Sequence, residues 1–131
     1  MTTIKSYTDI NQSKRLAEIL PLESADMRYG YIAPYDYSDR MYDGGYDEVP
    51  YPKDFLMKNP NFSIDEYEAE LPCWSLSALL SVLIYPHIEQ NYMGQWICRV
   101  EQQDTTYLWE DSNPVDACVA MIEQLYKLNL L

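Results

Sequence analysis

Apolar and polar positions change period several times along the chain, and each change marks an element. Ile10, Leu16, Ala17, Ile19 and Leu20 fall on one side of a helix predicted over Asp9–Leu20. Thr8 or Asp9 is its N-cap, Gln12 follows Asp9 at the capping-box spacing, and Pro21 stops it. Met27–Ala33 then alternates Met27, Tyr29 and Tyr31 against Arg28, Gly30 and Ile32, which predicts a strand. From Pro34 to Asn61 no period holds. Prolines at 34, 50, 52 and 60 and the Gly44–Gly45 pair punctuate a stretch that reads as a long loop, with a turn of helix near Asp54–Lys58. Ser63 and Glu66 repeat the capping-box spacing and predict a short acidic helix over Ile64–Glu70.

The second half is more regular. Leu76, Leu79, Leu80 and Leu83 follow the helical i, i+3, i+4, i+7 spacing, and Val82 and Ile84 widen the stripe, so an apolar helix over Ser75–Ile84 is expected at the centre of the fold. Gln95–Glu101 sets Trp96, Cys98 and Val100 on one face and Ile97 and Arg99 on the other. A polar turn at Gln102–Asp104 leads into Thr105–Glu110, with Tyr107 and Trp109 on one face, and the two runs predict a hairpin. Asn113 caps a final helix whose Pro114 occupies the first turn. Val115, Cys118, Val119, Ile122, Leu125 and Tyr126 form its stripe, and the apolar tail Leu128–Leu131 is expected to dock or meet a partner. Strands and helices do not alternate as in a wound parallel sheet. The expected fold is α+β: a small antiparallel sheet of about three strands with two to four helices packed on one face. It forms one globular domain over 1–131, with a Tyr/Asp-rich irregular insertion at about 34–61.

Composition narrows the function classes. The chain has 131 residues, 47% of them apolar, enough for a single core without metal or disulfide support. Its formal charge is −12, which argues against direct nucleic-acid binding and against an anionic membrane surface, since both require a basic footprint. Residues 36–70 alone hold ten acids and three bases. No signal peptide is read at Met1–Ser13, and the apolar stretch Leu71–Tyr85 is too short to cross a bilayer. Cys73, Cys98 and Cys118 lie far apart among apolar neighbours, as reduced thiols of a cytoplasmic protein do.

Candidate reactive groups each have a plainer explanation. His87, the one histidine, follows Pro86 and reads as a loop residue; no motif gives it a nucleophile to activate. Glu66, Glu68 and Glu70, or Asp47 and Glu48, could pair as carboxylates, yet 21 acids offer many accidental pairs. Asp36, Asp39, Asp43, Asp47 and Glu48 surround two glycines, but not at the spacing of an EF-hand calcium loop. No catalytic residue, metal ligand or cofactor is therefore assigned. The distinctive feature is tyrosine: 13 in all, seven of them within 29–51 among Asp, Gly and Ser. Such loops combine large aromatic contact area with adaptable polar groups. Tyr35, Tyr37, Tyr42, Asp43, Tyr46 and Asp47 are the candidate partner-contact residues, set against packing as the ordinary use of tyrosine.

Three segments, "TDINQSKRLAEILPLESADM" (8–27), "LPCWSLSALLSVL" (71–83) and "NPVDACVAMIEQLYKL" (113–128), cover 49 of the 131 residues. Together they resemble an uncharacterised family of short acidic proteins from gut anaerobic bacteria and their phages and mobile elements. The resemblance implies a bacterial, cytoplasmic, phage-linked origin and carries over no functional residue. The expected function is a small non-enzymatic protein-interaction module that binds an unknown protein partner or self-associates. The alternative is an acidic inhibitor that mimics nucleic acid in the groove of a host enzyme.

Overall fold

The computed structural model describes residues 5–32, 35–37, 40–42, 44–46, 48–52 and 67–131, with 32, 35–37, 40–42 and 67–70 described by backbone alone. Helix α1 is Ile10–Ala17. Its capping box forms as expected: Asp9 Oδ1 accepts from the Gln12 N–H at 2.7 Å, and Gln12 Oε1 accepts from the Asp9 N–H at 3.1 Å. The helix ends earlier than the stripe suggests. The Ile19 N–H bonds the Leu16 carbonyl at 2.9 Å, a tightened last turn that swings Leu20 inward. A 3₁₀ turn at Leu22–Ser24 follows.

Strand β1, Met27–Ile32, organises the first sheet. Along one edge it pairs antiparallel with β6, Tyr67–Cys73, from Met27↔Cys73 to Ile32↔Tyr67. Its other edge carries two short strands: β4, Gly45–Tyr46, opposite Tyr31 and Ile32, and β5, Tyr51–Pro52, opposite Met27 and Arg28. A separate ribbon pairs β2, Tyr35–Tyr37, with β3, Arg40–Tyr42.

Two expectations fail here. The acidic helix over Ile64–Glu70 is contradicted at its C-terminal end, because Tyr67–Cys73 is a strand. Tyr67, Ala69, Leu71 and Cys73 alternate with Glu68, Glu70 and Pro72, and pairing along the whole of β1 outweighs the local capping signal. Ser63 and Glu66, and the helical turn near Asp54–Lys58, lie outside the described residues. The irregular insertion at 34–61 is likewise not one loop: β2, β3, β4 and β5 fall within it. Tyrosine-rich segments too short to display a period are still good strand formers once partners are supplied.

The second half matches its pattern closely. Ser75 Oγ accepts from the Ala78 N–H at 3.2 Å and caps α2, Leu76–Val82. Leu83 is already extended, and Tyr85, just before Pro86, adopts φ +47°; the position before proline disfavours helix. A three-stranded antiparallel sheet follows: β7, His87–Gln90; β8, Trp96–Gln102; β9, Thr105–Asp111, in that spatial order. His87 is therefore a strand residue opposite Arg99 rather than a loop residue. Helix α3 is Pro114–Lys127 with Asn113 as N-cap and Pro114 in its first turn. At its end Asn129 takes φ +59°, the Leu130 N–H bonds the Leu125 carbonyl at 2.9 Å, and the Asn129 N–H bonds that of Tyr126 at 3.1 Å. This Schellman closure returns Leu130 to the core.

The main core joins Leu16 and Leu20 of the N-terminal segment, Trp74, Leu79, Cys98, Val100 and the inner face of α3. A smaller cluster of Tyr29, Leu71 and Cys73, with Tyr7, Ile10, Met27 and Tyr46 against it, lies on the first sheet. The molecule is an α+β fold of two antiparallel sheets and helices. No helix among the described residues is long and apolar enough to cross a membrane.

Candidate functional site

The most chemically dense region is buried. Tyr7 bridges to Ser75, and the Thr8 N–H donates to the Trp74 carbonyl at 2.9 Å, which threads Thr8 between α1 and β6. Thr8 Oγ1 contacts Ser13 Oγ at 2.8 Å, Cys73 Sγ at 3.5 Å and the Trp74 N–H at 3.1 Å, while the Tyr29 hydroxyl donates to the Thr8 carbonyl at 2.7 Å. Thr8, Ser13 and Cys73 have no solvent exposure. Burial pushes the Cys73 thiol and the Tyr29 hydroxyl up in pKa. A nucleophile needs a thiolate with an approach path, and this group has neither. Its polar atoms satisfy one another, which is what a buried polar cluster requires.

The other two cysteines are buried as well, but their interaction draws the Cys98 thiol down while it pushes Cys118 up. Cys98 on β8 and Cys118 on α3 are free and fully buried. Their mutual hydrogen bond and their burial hold Cys118 far up in the protonated range.

At the N-terminal ends of α1 and α3 a charged clip joins distant parts of the chain. Lys5 Nζ reaches Asp9 at 3.0 Å, Gln12 at 2.7 Å and Asp116 at 2.8 Å. Asp116 also accepts from Gln12 Nε2 at 2.7 Å and from Asn113 Nδ2 at 2.6 Å. Burial raises the Asp116 pKa, but the Lys5 ammonium and the two amide donors outweigh it and leave the carboxyl below its usual value. Every oxygen is aimed at a protein donor, so the clip is structural. Among the described residues no group of three His, Cys, Asp or Glu side chains could hold a metal.

The candidate partner-contact residues are placed unevenly. Tyr35, Tyr37 and Tyr42 come together on the β2–β3 ribbon, with Tyr35 opposite Tyr42 and Tyr37 opposite Arg40. Tyr46 sits apart on β4. Its ring lies 5.0 Å from that of Tyr31, tilted by 60°, with Lys14 Nζ 5.4 Å from its centroid. Tyr46 is half-buried against the smaller cluster and serves packing there. Asp43 and Asp47 lie outside the described residues.

One feature escaped the sequence. The C-terminal ends of α1, α2 and α3 frame an apolar cavity of about 590 Å³, lined by Ile19, Leu20, Leu83, Ile84, Leu125, Tyr126, Leu130 and Leu131 among others. Ile84, Tyr126 and Leu131 are exposed at its rim. Its only sequence signal is the apolar tail Leu128–Leu131 beyond the last helix, because the pattern places Ile84 inside a helix that in the structure ends at Val82. No family model, curated protein or solved structure matches the chain.

Proposed function

We propose that this chain is a small non-enzymatic protein-interaction module whose recognising segment is the tyrosine ribbon. The observation that carries the reading is that β2–β3 pairs with no strand of either sheet among the described residues, yet sets three tyrosine positions in neighbouring register. A two-stranded ribbon is marginal by itself in water. A partner surface that covers it supplies both the missing burial and the aromatic contacts that dominate interface energies. Three free buried thiols fit a reducing cytoplasm, and the net charge of −12 favours a protein partner over nucleic acid.

The test compares proteins captured from the source cell by the wild type, by a Tyr35→Ser/Tyr37→Ser/Tyr42→Ser variant and by Leu131→Asp, which places charge at the cavity rim. Loss of the captured partner by the triple variant, and its retention by Leu131→Asp, is expected. An unchanged partner for the triple variant overturns the reading. Capture that collapses with added salt in the wild type and all variants alike replaces it with charge mimicry of a nucleic acid.

A further inference from the structure

Strand β9 is an edge strand seven residues long, and among the described residues no strand pairs with its outer edge. Thr105, Thr106, Leu108, Trp109 and Glu110 are all exposed, Leu108 by 60%. Natural edge strands carry devices against pairing with another chain: proline, lysine, a bulge, or very short length. Between Thr105 and Asp111 there is no proline and no basic residue, and the register with β8 runs unbroken from Gln102↔Thr105 to Trp96↔Asp111.

The direction of the free backbone groups follows from one hydrogen bond. The Asn91 N–H donates to the Gln95 carbonyl at 2.8 Å, so Gln95 turns its carbonyl toward the β7 side. Backbone groups alternate direction along a strand. Ile97 and Arg99 therefore also face β7, and Trp96, Cys98, Val100 and Gln102 face β9. Their partners Thr105, Tyr107, Trp109 and Asp111 direct their groups back at β8. That leaves the N–H and C=O of Thr106, Leu108 and Glu110 pointing outward.

This set is self-complementary. If a second copy of β9 lies antiparallel about a two-fold axis through Leu108, Leu108 meets Leu108, and Thr106 meets Glu110 on either side. Each is a pair that exchanges two hydrogen bonds, giving about six across the junction. Tyr107 meets Trp109 in the closer, non-bonded pairs, where aromatic side chains contribute most. The two charges of the strand, Glu110 and Asp111, lie opposite Thr106 and Thr105, so no like charges oppose each other. Trp109 points to the α3 face yet stays 39% exposed, so α3 leaves the edge uncovered.

From this geometry we infer that the protein forms a symmetric dimer by antiparallel pairing of β9 with β9, centred on Leu108, to give a continuous six-stranded sheet. The inference is independent of the tyrosine ribbon. Sedimentation across about 10 µM to about 1 mM, spanning the usual range of modest interfaces, is expected to show mass rising from 15.4 kDa toward twice that value. Leu108→Lys, at an exposed position, opposes two like charges on the axis and is expected to weaken the dimer by about tenfold or more. Leu108→Cys is expected to cross-link to itself under mild oxidation, since bonded pairs lie within disulfide reach. Thr106→Cys meets Glu110 and is expected not to. A monomer throughout the range, a dimer indifferent to Leu108→Lys, or equal cross-linking by both cysteine variants overturns the inference.

Discussion

Asp116 shows how a single carboxylate is used in this molecule. It faces Lys5, Gln12 and Asn113 at 2.6–2.8 Å and ties the start of α3 to the start of α1. Its folded pKa lies below the usual 3.8. A carboxylate held down in the folded state contributes stability above its unfolded pKa and loses it as pH falls through the folded value. Asp116→Asn is therefore expected to cost about 1–2 kcal/mol at pH 7, since it removes charged hydrogen bonds on a part-buried group. The difference from wild type in urea unfolding is expected to shrink below about pH 4. A cost independent of pH would show that the charge plays no part. From sequence Asp116 is legible as a first-turn acid of α3, favourable to the helix dipole. Its partner Lys5 is not, because 111 residues separate them. Thr8, Ser13 and Cys73 are hidden for the same reason: each reads as ordinary until tertiary pairing closes them around one another.

Among the elements, those with strong local punctuation were legible and those formed by pairing were not. Asn113, Pro114 and an unbroken 3.6-residue stripe announce α3, and Asp9 with Gln12 announces α1. The β8–β9 hairpin is visible because dense β-branched and aromatic residues flank a short polar turn. By contrast β6 carries a helix-like acidic run, β7 is four residues long, and β2–β5 are shorter still than a period can reveal. Such strands exist because β1 and β8 supply hydrogen-bonding partners, a fact no local window contains. The hairpin turn itself is strained: Gln103 and Asp104 take φ +53° and +63°, the left-handed pair of a type I′ turn that prefers Asn-Gly. Gln103→Asn with Asp104→Gly is expected to stabilise the protein by about 0.5–1 kcal/mol, read as a higher urea midpoint at unchanged slope. A lower midpoint would contradict the turn geometry.

At the level of the whole molecule, the charge and composition limits bear on partners rather than on architecture. The α+β class follows from the order of elements. The division into two sheets does not, because it depends on β6 returning to β1 from 35 residues or more away. The apolar cavity is equally hidden, since three helix ends and the tail must converge to make it. What unites these features is the placement of reactive groups. The three thiols, and the hydroxyls of Thr8 and Ser13, lie inside, hydrogen-bonded to one another or packed as small apolar groups. Among the described residues the surface offers aromatic rings, acidic charge and the outer edge of β9.

The most direct test of that placement is the rate at which Cys73, Cys98 and Cys118 react with a thiol reagent in the native protein. With all three at zero exposure, modification is expected only as fast as the protein opens, rising with urea in step with unfolding and releasing three equivalents once unfolded. A thiol that reacts fully within seconds in the folded protein, without urea, would contradict the account.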